Sequence, residues 1–247
     1  MDGVVIITGG SRGIGAATAR LAARHGYRVC VGYRQRADAA AEVVADCRAE
    51  GVAALAVQVD VAVEPDVLGL FDAAAELGPL RGLVNNAAIV DRQARVEDLA
   101  AARIERMFAV NVLGSFLCAR EAVRRMSTAR GGTGGAIVNV SSRAAVKGSP
   151  GEYVDYAASK AAVDTLTVGL AGEVATEGIR VNAVRPGLVD TDIHASGGQP
   201  GRAHRLGSTV PMRRPGQPEE IAEAIVWLLG DRASYVTGAV LDVGGGR

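Results

Sequence analysis

Tyr156 and Lys160 stand four residues apart in the run Tyr156-Ala157-Ala158-Ser159-Lys160. On a helix that spacing puts both side chains on one face. An ammonium beside a phenol favours the phenolate, so Lys160 is expected to lower the tyrosine's pKa from its ordinary value of about 10. A tyrosine so tuned gives a proton to a carbonyl oxygen or takes one from an alcohol. Tyrosine and lysine at this spacing recur on many surface helices, so the pair gains meaning only from its company. Tyr153, three residues upstream, has Ala157 where a lysine would be needed.

A second group has phosphate chemistry. Thr8-Gly9-Gly10-Ser11-Arg12-Gly13-Ile14-Gly15 follows the apolar run Val4-Val5-Ile6-Ile7 and opens a helical pattern. Glycines let a backbone turn sharply and approach a pyrophosphate, and a helix N-terminus offers N–H donors and a positive dipole. The spacing of four then two differs from the commoner G-x-G-x-x-G, but the physics is the same. A plain glycine-rich turn is the alternative, and the position between strand and helix argues against it.

These groups need a scaffold, and the chain supplies alternating strands and helices. Strands are predicted at 4–7, 29–31, 54–59, 82–84, 136–140, 180–184 and 239–241. Helices are predicted over 14–24, 37–50, 64–76, 153–177 and 218–229, with a long helix within 97–126. That alternation means an α/β fold: a doubly wound parallel sheet with helices on both faces, spanning 1–247 as one domain. Such a sheet binds ligands at the carboxyl ends of its strands. Residues 187–210 carry Gly197, Gly198, Pro200, Gly201 and Gly207 and read as a long substrate loop. In it His194, Arg202, His204 and Arg205 could meet a polar substrate or simply face water. The loop has no aromatic residue, which argues against a flat polycyclic ligand.

Taken together the motifs resemble those of short-chain dehydrogenases/reductases over nearly the whole chain. T-G-x-x-x-G-x-G is that family's cofactor signature. The resemblance assigns Asn111, Ser142, Tyr156 and Lys160 as the catalytic set. Ser142 would hydrogen-bond the reacting oxygen; it lies 14 residues before Tyr156. The family gap is often one shorter, which makes Ser141 the alternative. Asn111 would bend its helix and hold a water linking the lysine to solvent. Lys160 would also bind the nicotinamide ribose. Further cofactor contacts are implied at Gly9, Ser11, Arg12, Gly13, Ile14, Gly15, Tyr33, Arg34, Asp60, Val61, Asn86, Ala87, Ala88, Pro186, Gly187, Val189 and Thr191. Asp60 would meet the adenine ring; an ordinary helix cap is its bland reading. Ala88 stands where the family usually has glycine. Pro186-Gly187 through Thr191 would orient the nicotinamide carboxamide. The expected activity is hydride transfer between nicotinamide and a carbonyl or secondary alcohol. Relatives of this type reduce 3-oxoacyl thioesters or act on sugars and polyols, and the sequence does not choose between them. A silent dinucleotide-binding regulator would keep the glycine loop and lose Ser, Tyr or Lys; all three are present.

Cofactor preference is legible at the end of the second strand. An NAD enzyme of this fold places an acid there to accept from the adenosine ribose. Here the position is Tyr33, followed by Arg34 and Arg36, with Arg12 in the glycine loop. Guanidiniums grip phosphate, so NADP(H) is expected. The chain has 27 basic and 27 acidic residues, so no charge excess points to nucleic acid or an anionic membrane. Cys30, Cys47 and Cys118 suggest neither disulfides nor a zinc site. With no apolar run long enough to span a bilayer and no charged leader, a cytoplasmic enzyme is expected. Arg124, Arg125 and Arg130 could meet an acidic carrier protein or be a solvated helix end. Small residues around Ala157, Ala158, Ala161, Ala162 and Val163, together with the resemblance, imply a homotetramer.

Overall fold

The structure, a computed structural model, describes residues 3–247, with the side chain of His194 left undescribed. β1 (Val4–Thr8) is buried along its whole length, as a Val/Ile strand covered on both faces must be. There follow α1 (Gly13–Arg24), β2 (Arg28–Tyr33), α2 (Ala37–Ala49), β3 (Ala54–Gln58), α3 (Glu64–Ala75) and β4 (Leu80–Asn85). Next come α4 (Ala101–Phe108), a π-helical turn at Ala109–Leu113, α5 (Gly114–Met126), β5 (Gly135–Val140), α6 (Ala144–Lys147) and α7 (Val154–Val174). The remainder is β6 (Ile179–Pro186), α8 (Ile193–Ser196), α9 (Arg202–Leu206), α10 (Pro218–Leu229) and β7 (Val240–Val243).

The seven strands form one parallel sheet in the order β3-β2-β1-β4-β5-β6-β7. The chain winds outward from β1 to β3, then returns to start again at β4 beside β1. Where the winding reverses, the loops after β1 and β4 diverge and leave a crevice at the strands' carboxyl ends. Successive residues of β1 serve opposite faces. Val5 and Ile7 pack with α1, α2 and α10, whereas Val4 and Ile6 pack with α3, α5 and α7.

Local signals explain most boundaries. Pro218 at the first turn and the reciprocal Gln217–Glu220 capping box start α10. Gly26 and Gly51, both with positive φ, follow the ends of α1 and α2. Two stretches differ from expectation. The helix anticipated within 97–126 is two helices joined by the π-helical turn, since widening one turn turns Asn111 inward. The stretch 187–210 is only partly irregular. It contains α8, α9 and a 3-10 turn at Gly207–Thr209, with Leu188, Ala203 and Val210 forming a small core.

Cys30 on β2, Cys47 on α2 and Cys118 on α5 are free and buried. Burial pushes their thiols up to about 12, 11 and 12 respectively. Among the described residues, no helix is long and apolar enough to cross a membrane.

Candidate active site

One cleft of about 620 Å³ opens over the carboxyl ends of β1, β2, β4, β5 and β6. It gathers Ser142, Tyr156, Lys160 and the anticipated cofactor residues apart from Gly15, while Asn111 lies behind its wall.

The floor is the glycine loop. Gly9 has φ 63°, and a Cβ there would lie 2.9 Å from Ala87 Cα. A Cβ on Gly15 would strike the Gly9 carbonyl and the Asn86 amide, so this glycine shapes the loop from below. Asn86 itself acts as a brace. Its Nδ2 donates to the carbonyls of Thr8 and Gly9, both at 2.9 Å. The backbone N–H groups of Asn86 and Ala87 both donate to Thr8 Oγ1 at 3.0 Å. The loops after β1 and β4 are thus bound to one another with their backbones lining the cleft. Thr191 packs on Gly13 from the opposite lip.

At the β2 end, Tyr33 and Arg34 line the cleft without an acid of their own strand. Arg34 Nε instead meets Asp60 Oδ2 at 3.0 Å. Asp60 also accepts from the Ala62 N–H at 3.1 Å, a turn leading into α3. Arg12 reaches Ser196 Oγ at 3.3 Å and lies 3.9 Å from Asp192, both across the lip.

At the β5 end, the Ser142 hydroxyl lies beside the Tyr156 phenol on the cleft wall and pulls its pKa downward. Ser141 is fully engaged elsewhere, its hydroxyl donating to the Lys160 carbonyl at 3.1 Å. Of the two serines, Ser142 is therefore the one that faces the tyrosine. Lys160 is buried one turn along α7. Its Nζ donates to the Val140 carbonyl at 2.7 Å and lies 5.8 Å from the Tyr156 ring centre. The expected lowering of the phenol pKa is not what this geometry produces. Burial pushes Tyr156 up to about 12, opposed by the neighbouring Ser142 hydroxyl. Lys160 is pulled down to about 8 by burial, opposed by Asp164. The reason is that the ammonium points at a carbonyl and shares the phenol's dry surroundings.

Asn111 is buried on the π-helical turn. Its side chain accepts from Ile89 N–H at 2.8 Å and donates to Ile89 C=O at 3.0 Å and Ser159 Oγ at 3.0 Å. It thereby ties α7 to the loop after β4.

Other site features have no signature in the sequence. Asn85 Nδ2 donates to Asn139 Oδ1 and Asn139 Nδ2 to Thr167 Oγ1, both at 2.9 Å, locking β4, β5 and α7 together beneath the site. Arg103 on α4 holds buried Asp155, next to Tyr156, through Nε at 2.8 Å and Nη2 at 3.2 Å. Arg202 on α9 donates to Glu152 at 2.6 Å and stacks 5.4 Å over the Tyr153 ring. Of the other polar residues considered in this loop, His204 meets Asp190 at 3.0 Å and Arg205 bonds Gln199. The His194 side chain lies outside the described residues. Arg124 and Arg125 are not a free basic patch: both bond Glu121, and Arg125 also bonds Asp72.

Chemically, the cleft offers backbone amides at a helix start, a guanidinium at one end, and a serine–tyrosine–lysine group at the other. Similarity to known proteins runs along the same residues. A family model described as enoyl-(acyl carrier protein) reductase matches residues 9–247. The uncharacterized oxidoreductase YgfF of Escherichia coli (strain K12) is 56% identical over 99% of both chains. A cis-4-hydroxycyclohexanecarboxylate dehydrogenase of Sinomonas cyclohexanicum is 43% identical, over 98% of this chain and 95% of its own. Among solved structures, a 3-ketoacyl-(acyl-carrier-protein) reductase from Brucella melitensis complexed with NADH superposes with a TM-score of 0.91 at 32% identity. The match covers 99% of this chain and 97% of the other.

Proposed function

Because the chain belongs to the short-chain dehydrogenase/reductase family of oxidoreductases, we propose that it is an NADP(H)-dependent enzyme moving a hydride between nicotinamide and a ketone or secondary alcohol. The observation that carries this reading is the grouping of Ser142, Tyr156 and, one turn along α7, Lys160 on the wall of a cleft floored by the glycine loop. The cleft suits a dinucleotide: the glycine loop brings bare backbone and the start of α1 to its floor, and Arg34, paired with Asp60, lies at the β2 end without an acid of that strand. The free thiols suit a reducing cytoplasm.

In reduction, bound NADPH supplies the hydride to the carbonyl carbon. Ser142 and Tyr156 hydrogen-bond the carbonyl oxygen, where negative charge grows as the C–H bond forms. Tyr156 then gives its phenolic proton to that oxygen, leaving an alcohol and a phenolate. The Lys160 ammonium, close behind, stabilises the phenolate, and its burial makes that attraction stronger than it would be in water. Asn111 fixes the height of α7 against the loop after β4, so that Tyr156 meets the substrate in register. Oxidation runs the same steps backward.

Replacing Tyr156 by Phe tests the assignment. Turnover should fall roughly 100- to 10,000-fold, with NADPH affinity within a few-fold, because the phenolic proton is needed only as the reaction proceeds. More than half the wild-type rate would remove Tyr156 from the mechanism.

A further inference from the structure

Leu188, Ile193 and Arg202, all from the segment after β6, stand on the wall of the cleft. The last of them opens α9. That helix rests on a small core, Leu188, Ala203 and Val210 with Leu206, which is separate from the two cores that flank the sheet. Apolar packing therefore holds α9 to its own segment rather than to the body of the protein. Its placement over the cleft falls to polar contacts. Among the described residues, Arg12 meets Ser196 and Asp192 on the glycine-loop side, through exposed side chains. On the side of Tyr156, Gln93 and Glu152 meet Gln199 and Arg202.

Glu152 joins three segments at this second side. Its Oε2 accepts from Arg202 Nη2 at 2.6 Å and its Oε1 from Gln93 Nε2 at 2.8 Å. Its backbone carbonyl accepts from the Ala94 N–H at 3.1 Å. Gln93 Oε1 in turn accepts from Gln199 Nε2 at 3.1 Å. The loop after β4, the lead into α7 and the start of α9 thus close on one another. The Arg202 side chain is only 12% exposed, and its guanidinium lies 5.4 Å over the Tyr153 ring. Tyr153 caps α7 three residues before Tyr156, and Glu152, Tyr153, Tyr156 and Arg202 all line the cleft. A charge-assisted bond shielded by an aromatic face is stronger than an ion pair in open water. Among the described residues, neither Arg202 nor Glu152 has a second ionic partner.

We propose that Arg202 and Glu152 form a clasp that ties α9 to the start of the catalytic helix and sets how large a substrate the cleft admits, selecting compact ketones and alcohols over bulky ones. Arg202 is a positioning residue and acts through the place it gives α9. With the pair made, the wall that carries Arg202 is drawn against Tyr153, and the cleft is narrowed beside Tyr156. With the pair broken, α9 keeps its own small core and swings as a unit, which widens that end. A methionine in place of Arg202 would still cover the Tyr153 ring but could not hold Glu152, so charge and bulk are separable. The size selection rests on the hydride-transfer reading above; the clasp itself does not.

The test reads the clasp and its consequence separately. Amide hydrogen exchange over α9 is followed in the wild type, Arg202→Met, Glu152→Gln and the double variant, with β1 as the internal reference. Each single variant should speed exchange in α9 fivefold or more and leave β1 unchanged. The double variant should add less than twofold to either, because both substitutions break the same bond. A smaller change in the single variants, or effects that multiply in the double, would overturn the clasp. Turnover with NADPH is then measured on ketones paired by size, one ring against two fused rings and four carbons against ten. The ratio of kcat/KM for the large member to that for the small should rise fivefold or more in Arg202→Met and in Glu152→Gln, and stay within twofold of the wild type in Arg202→Lys. A smaller rise, with exchange in α9 accelerated, would overturn the size selection. Absence of turnover for every ketone in the wild type would count against the hydride-transfer reading, and the clasp would stand or fall on exchange alone.

Discussion

Lys160 carries its charge in a place that resists it. Burial draws its pKa down to about 8, and Asp164, one turn along α7, supplies the opposing pull. The ammonium is complete below that value and is lost as pH rises through it. A neutral amine cannot stabilise the phenolate left after proton transfer, whereas Tyr156, held up near 12, keeps its proton throughout. Ketone reduction should therefore show kcat/KM level below pH 7 and falling by up to tenfold per pH unit above about 8. A rate profile level to pH 9.5 would show that Lys160 does not titrate in this range. Arg34 makes the corresponding claim for cofactor choice. Its guanidinium is tied to Asp60 at 3.0 Å, so a 2′-phosphate competes for it with a carboxylate, and the net gain is smaller than for a free arginine. An arginine–phosphate contact of about 1–2 kcal/mol gives roughly 5- to 30-fold preference. The ratio of kcat/KM for NADPH to that for NADH should exceed one, and should drop by that factor in Arg34→Ala. A ratio of one or less in the wild type contradicts the assignment.

At the scale of elements, the π-helical turn between α4 and α5 is held by one side chain. Asn111 satisfies both the N–H and the C=O of Ile89 and reaches Ser159 on α7. Leucine at this position would leave those groups without partners in a buried setting, costing roughly 2–4 kcal/mol. Urea unfolding should show a lower midpoint in Asn111→Leu, and an unchanged midpoint would mean that the turn holds itself. The sequence shows why some elements were legible and others were not. β1 was visible as Val4 to Ile7 because a strand buried on both faces is apolar throughout. α10 was visible because Pro218 and its capping residues announce its start. Periodicity did not show the π-helical turn, since one extra residue in a turn barely disturbs it, and only the resemblance implied a bend at Asn111. α6, α8 and α9, of four or five residues, are too short for any periodicity to register. Around the site, local motifs brought Ser142, Tyr156 and Lys160 to notice. The Arg103–Asp155 pair joins residues 52 apart in the chain, and the Asn85–Asn139 pair residues 54 apart. Such partners are set by which strands and helices become neighbours, which spacing along a chain does not encode. Nor does spacing report burial, and burial is what reversed the expected shift of Tyr156.

For the whole molecule, the outer faces of α5 and α7 set a requirement. Phe116 is 49% exposed and Val168 56%, with Leu113 beside the start of α5 at 47%. Both helices cover the same face of the sheet, and Gly169 and Gly172 leave α7 open to close approach by another helix. An apolar surface of this kind in water favours association. We expect a homotetramer, with light scattering giving four times the mass of the chain at micromolar concentration, and a smaller species for Phe116→Glu. Monomer alone in the wild type would exclude this assembly. The three thiols bear on a different property. Only the thiolate attacks oxidants and alkylating agents. With pKa values of about 11 to 12, no more than about one molecule in 10,000 carries it at any of these positions near pH 7. Each thiol is also shut away beneath a layer of helix or sheet. Peroxide or iodoacetamide can therefore modify these thiols only as fast as the chain opens, and the three cysteines, one in the sheet and one in each helical layer, become internal clocks for the opening of the parts that cover them.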